Sequence, residues 1–172
     1  GATHIDVDAS ARLTASQGLG QGIITNEGRL NIDSAKGTLL NSLKGGGDAL
    51  LTNGADITLV GDSSGYSGSF TIDAGTILTA TEVSQLGSAV INNVGTFVAD
   101  ATGLWTLDNT ISGSGTFVKR GSGTVQVDGD NLSVSLTNIE NGLLLIGGAP
   151  AGSILNRAAS ANLLGDVIIR KD

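Results

Sequence analysis

The sequence contains no cysteine, so neither a disulfide frame nor a thiolate metal site is available, and the redox compartment is left open. Aromatic residues amount to 3% of the 172 residues while apolar residues amount to 40%. Any core must therefore be filled by Val, Ile and Leu, the set that suits strands buried on one face. There is one proline and no glycine period of three, which excludes a collagen-like chain. No apolar run reaches 18 residues, so the chain is not expected to insert into a bilayer as a helix. Positive charge is scarce too: with a net charge of −7, the pairs Lys119-Arg120 and Arg170-Lys171 are too small to attract nucleic acid or anionic lipid. The chain opens on Gly1 without a signal peptide, and reads as a mature piece or an excised fragment of one domain's length.

Glycine is abundant, at 27 residues, and it recurs at regular places. Stepping back 20 residues from Gly115 of GTFVKR lands on Gly95 of GTFVAD, and another 20 on Gly75 of GTILTA. The series extends to Gly142, Asp48 and Gly28, with Gly165 as a further start. Two of its steps are 27 residues long and contain the polar stretches Gly61 to Gly68 and Asp128 to Asn131. The reading is a basic step of about 20 residues with insertions in two loops.

A 20-residue step is too short for two helices and suits one coil of a β-solenoid, three short strands stacked on the next coil at about 4.8 Å. Two residues after each marker stand Leu30, Leu50, Ile77, Phe97, Phe117, Leu144 and Val167, read as one inward column. The preceding position holds Arg29, Ala49, Thr76, Thr96, Thr116, Leu143 and Asp166, read as outward under period-2 alternation. The expected fold is all-β: a right-handed, single-stranded parallel β-helix, the hand following the rule for parallel crossovers, with helix content near nil. It is expected as a single unit over 1–172, in which 1–27 is a poorly defined first coil, 28–148 are regular coils and 149–172 are a C-terminal coil or cap. In the first coil, strands are expected near His4 to Asp8, Arg12 to Ala15 and Ile23 to Asn26.

The residues NTISGSGTFVKRGSGTVQVDGDN followed by NGLLLIG resemble the passenger-associated repeat of bacterial type V autotransporters, whose members tend to read ISGSGxLxKxGxGTLxLxGxN and then GGTLxLG. Gly87 to Thr96 is similar to the approach that precedes the last such repeat. The likeness covers roughly Asp48 to Gly148 and departs at Asn131-Leu132-Ser133-Val134, where TYTGGTT is usual. The resemblance implies a pertactin-like β-helix, part of a passenger exported through the outer membrane and displayed at the cell surface or secreted. A last repeat with a short tail further resembles the autochaperone segment of a virulence factor or adhesin. The implied partners are the chain's own upstream coils and a downstream outer-membrane β-barrel translocator. A host-cell surface ligand is a further one.

Gly61-Asp62-Ser63-Ser64-Gly65 matches the G-x-S-x-G nucleophile pattern, but that pattern needs a strand-turn-helix elbow and a His base, and His4 is the lone histidine. A turn is expected, and Ser63→Ala is expected to change nothing. Gly45-Gly46-Gly47-Asp48-Ala49-Leu50 is similar to half of a calcium-binding nonapeptide repeat but occurs in a single copy, so a coil corner is expected there. Asp100 and Arg120 should face each other across neighbouring coils as an ion pair. Trp105 is expected in the core or a corner, with a sugar-stacking surface as its alternative; Tyr66 is left open between the two. Asp33 beside Asn53 and Asp100 beside Arg120 are isolated pairs, short of the grouped acids that a polysaccharide lyase or hydrolase needs. No catalytic, cofactor-binding or metal residue is assigned, and no enzyme is expected. The alternative role is an adhesive stalk whose two polar loops stack on one side and touch host cells or matrix.

Overall fold

A computed structural model describes residues 1–6, 8–15, 20–147 and 166–169. They form eighteen strands in chain order: β1 (Thr3–Ile5), β2 (Ser10–Leu13), β3 (Ile24–Asn26), β4 (Arg29–Asp33), β5 (Lys36–Leu39), β6 (Leu43–Lys44), β7 (Asp48–Thr52), β8 (Asp56–Leu59), β9 (Ser69–Ile72), β10 (Ile77–Ala80), β11 (Val90–Asn93), β12 (Thr96–Asp100), β13 (Leu104–Leu107), β14 (Ile111–Arg120), β15 (Thr124–Val127), β16 (Leu132–Ile139), β17 (Leu143–Ile146) and β18 (Asp166–Ile169). Among the described residues, helix is confined to two short 3₁₀ turns, Val83–Gln85 and Gly129–Asn131. Among the described residues every strand pairing is parallel, as a solenoid requires.

The coils wind through three walls. Wall I holds β1, β3 and β6 at one end and β13, β15 and β17 at the other. Wall II holds β2, β4, β7, β9 and β11, followed by the first part of β14 and of β16. Wall III holds β5, β8, β10 and β12, then the second part of β14 and of β16, then β18. The long strands β14 and β16 bend from wall II into wall III, with a register shift between Gly113 and Thr116. Gly113 makes that bend possible: its φ is +133°, and a Cβ there would lie 2.2 Å from the carbonyl oxygen of Asn93.

The step is regular throughout. On wall II the stacked partners are Ala11, Leu30, Ala49, Phe70, Ile91, Ile111 and Leu132, 19 to 21 residues apart. The two 27-residue steps are thus not insertions. Asp48 opens a strand of wall II and Gly75 one of wall III; Gly115 precedes the wall III part of β14 and Gly142 opens β17 on wall I. Each long step is one coil plus one wall, and the three walls share a Gly-led opening because each begins after a corner.

The single inward column expected from the sequence is corrected for the same reason. Its members divide among three columns: Leu30 belongs to wall II, Phe97 and Phe117 to wall III, and Leu144 stacks on Val125 and Trp105 in wall I. Val167 aligns with Thr137 on wall III. Leu50 and Ile77 face away from the interior, where Ala49 and Leu78 take their places, both fully buried. The equivalent of Gly28 is Gly47 rather than Asp48, and a one-residue slip exchanges the two faces of a strand. The wall III column is Ile57, Leu78, Phe97 and Phe117, and the two phenylalanine rings lie 5.9 Å apart.

Interior polar side chains tie coil to coil. Buried Asn26, Asn41, Asn93 and Asn109 each donate Nδ2 to a backbone carbonyl of a neighbouring coil, at 2.6 to 2.8 Å. A buried carboxamide is tolerated where it is bonded in this way. The first coil is present as β1 and β2, with β3 opening the second. Of the C-terminal segment 149–172, residues 149–165 and 170–172 lie outside the described residues.

Candidate functional site

At the end of β4, Asp33 gathers three side chains, of which the sequence placed only Asn53 beside it. Asn53 Nδ2 donates to its Oδ1 at 2.9 Å, Ser34 Oγ donates to the same atom at 2.9 Å, and Arg12 contacts Oδ2 through Nε and Nη2 at 2.7 and 2.6 Å. The Asn53 amide first, then Arg12 and Ser34, hold the Asp33 carboxyl below the usual range. Arg12 and Asn53 come from the coils on either side, so Asp33 acts as a brace across three successive coils.

Asp100 and Arg120 are aligned in register, as expected, but the ion pair forms one coil further on: Arg120 Nε bonds Glu140 Oε2 at 2.9 Å. Both partners are partly exposed, so the pair contributes little by itself.

Ser63 is buried. Its Oγ accepts the backbone N–H of Leu43 at 2.9 Å and donates to the Gly61 carbonyl at 3.3 Å, while His4 is exposed in β1 beside Asp6. The G-x-S-x-G stretch therefore replaces a missing rung of wall I: Ser63 N donates to Ser84 O, and Gly45 bridges Tyr66. Ser63 is structural, which corrects the expectation that its hydroxyl is dispensable to the fold. The two polar stretches do not adjoin. Gly61 to Gly68 takes the wall I place after β6, and Asp128 to Asn131 follows β15, with the Val83–Gln85 turn and β13 between.

Tyr66 and Trp105 are both core residues. Tyr66 is fully buried, its ring edge-on to Phe70 with centroids 5.2 Å apart, and its hydroxyl lies 2.7 and 2.8 Å from the carbonyls of Gly47 and Ser69. Burial raises its phenol above the ordinary tyrosine range. Neither ring offers a face for sugar stacking. Gly45 to Gly47 forms a corner, where Gly46 N donates to Glu27 Oε2 at 3.1 Å and Asp48 Oδ1 accepts from Ser69 Oγ at 2.7 Å. Among the described residues, no group of three or more His, Asp or Glu side chains is placed to hold a metal ion.

The sequence reading missed Lys119. It is fully buried, and its Nζ donates to the carbonyls of Arg120, Gly121 and Asn141, the last in the next coil. Desolvation lowers its pKa below the ordinary lysine value, opposed by the carboxylate of Asp100. The signal was present: Phe117 faces inward, so Lys119, two residues on, must as well.

No family model matches the sequence. The chain is 35% identical over 158 residues to Uncharacterized lipoprotein YdeK of Escherichia coli (strain K12). The match covers 91% of this chain but 12% of that protein, so the chain spans a small part of the relative's length. No solved structure matches. The coil stack is compatible with a β-helix passenger, and the relative's name makes no mention of autotransport.

Proposed function

We propose that this chain is a structural coil-stack segment of a longer cell-envelope protein, serving as the C-terminal, autochaperone-like part of a surface-displayed passenger. The observation that carries this reading is the pairing pattern. On wall III, β5, β8, β10, β12 and the second parts of β14 and β16 each pair in parallel with the strand one coil away, so every coil is laid on its neighbour's edge. An open parallel edge is a template on which a further coil can form, and repeat stacks propagate from a stable end coil by coil. The lipoprotein named above supports placement in the envelope. The partners in this reading are coils N-terminal to Gly1 in the parent protein and a β-barrel translocator beyond Asp172.

The role is mechanical rather than enzymatic. In support, Ser63, Asp33 and Lys119, the side chains of greatest chemical interest, all spend their hydrogen bonds on backbone or neighbouring coils. The adhesive alternative retains the Asp128 to Asn131 turn but loses Tyr66 and Ser63 to the interior. Two measurements test the proposal. Coding sequence downstream of Asp172 should contain alternating barrel strands, and Phe117→Ala in the parent protein should reduce protease-resistant passenger at the surface. Normal surface folding of that variant, or direct binding of the isolated chain to host cells or matrix, would overturn it.

A further inference from the structure

At the corner before β17, two side chains converge on one peptide bond. Gly142 donates its backbone N–H to Oδ1 of Asn141 at 2.7 Å, so the nitrogen lies against that residue's own side-chain amide. The oxygen of the same peptide, Asn141 O, accepts from Lys119 Nζ at 3.1 Å. Gly142 has a φ of +75°, and a Cβ there would come 2.3 Å from Gly123 O and 2.8 Å from Lys119 Nζ, so the corner admits glycine alone. Three carbonyl oxygens around Nζ match the three donors of an ammonium.

We propose that Asn141 is a self-modification site at which the Gly142 nitrogen closes on Asn141 Cγ, with Lys119 promoting the closure. A solvent base removes the proton from Gly142 N. The resulting charge spreads by amide resonance onto Asn141 O, where the ammonium stabilises it. The N–Cγ bond forms, the Cγ–Nδ2 bond breaks, and Nδ2 takes a proton from water and leaves as ammonia. The product is a five-membered cyclic imide. Water opens it at Cγ to give aspartate, or at the backbone-derived carbonyl, the one Lys119 polarises, to give isoaspartate. One water is consumed and one ammonia released, with no change of oxidation state.

The other Asn-Gly pair is an internal control. Asn53 commits its Nδ2 to Asp33 Oδ1, and among the described residues no lysine or arginine donates to its carbonyl. The inference does not rest on the role proposed above. It is tested by holding the folded protein at neutral pH and mapping peptides by mass spectrometry. Asn141 should convert several-fold faster than Asn53, with isoaspartate as the main product. Lys119→Met, checked for folding by circular dichroism, should bring the Asn141 rate down and leave Asn53 unchanged. Equal rates at the two asparagines, or no effect of Lys119→Met, overturn the proposal. Should that variant fail to fold, the unaltered chain decides: Asn141 must convert faster folded than unfolded in urea, and the reverse order sinks the idea.

Discussion

Wall I is built in two different ways, and the contrast shows what this solenoid requires of each wall. From Leu104 to Ile146 it is a regular sheet, β13-β15-β17, over the column Trp105, Val125 and Leu144. At Gly61 to Gly68 and again at Thr81 to Ala89 the same wall has turns and a lone bridge instead of strands, and side chains take over the missing ladder. Ser63 Oγ receives Leu43 N, the Tyr66 hydroxyl lies against two carbonyls, and buried Gln85 accepts Thr81 N at 2.8 Å. Wall III, by contrast, is continuous from β5 to β18. Interruption is tolerated where polar side chains satisfy the backbone and the other walls keep the coils in register.

The largest effect should come from breaking the continuous wall. Phe117→Ala removes a fully buried ring between Phe97 and Thr137 and should cost about 3–5 kcal/mol, read as a fall in the midpoint of denaturant unfolding. A cost below that of Tyr66→Phe would mean that wall III does not dominate. Tyr66→Phe keeps the ring and removes the hydroxyl from the Gly47 and Ser69 carbonyls, for about 1–3 kcal/mol by thermal or chemical unfolding. Ser63→Ala strands the buried Leu43 N–H and should cost about 1–3 kcal/mol. Exposed Ser64→Ala is its control and should stay within about 0.5 kcal/mol of the parent. If the two serine variants are indistinguishable, the side-chain substitution for the ladder is not energetically real.

The smallest effect concerns acid. The Asp33 carboxyl has a folded pKa below its ordinary value of 3.8, so the unfolded chain takes up the proton first as pH falls. The stability it contributes is present above 3.8 and is lost as pH drops from there through the lowered folded pKa. Asp33→Asn should flatten that part of the stability profile measured by urea unfolding, with Arg12 left unpaired in both limbs. An unchanged acid slope would remove Asp33 from the set of braces.

Much of the architecture was legible because backbone geometry writes itself into local sequence. Gly-led corners followed by alternating apolar residues mark strands of a short coil, and GTFVAD over GTFVKR gave the Phe97 to Phe117 stacking directly. The register failed where a 19-residue step replaced a 20-residue one. Alternation tells which residues share a face of one strand, but not which of three walls that strand joins, so Leu144 and Leu50 were assigned to a column they do not enter. For the polar residues, Asp33 beside Asn53 was readable from spacing, whereas the partner of Arg120 was not, since Asp100 and Glu140 lie in the coils on either side of it.

The sequence by itself determined the class: no cysteine, few aromatics, glycine at corners and a period near 20 leave a parallel stack filled by aliphatic side chains. Only the tertiary structure decided the assignment of strands to walls, the burial of Ser63 and Tyr66, and the clamp of Lys119 on carbonyls of two successive coils. The physical reason is that a wall is defined by pairing between coils some 20 residues apart, and pairing depends on where every corner turns. Local alternation fixes inside and outside within one strand; which atoms meet there is settled by the neighbouring coils.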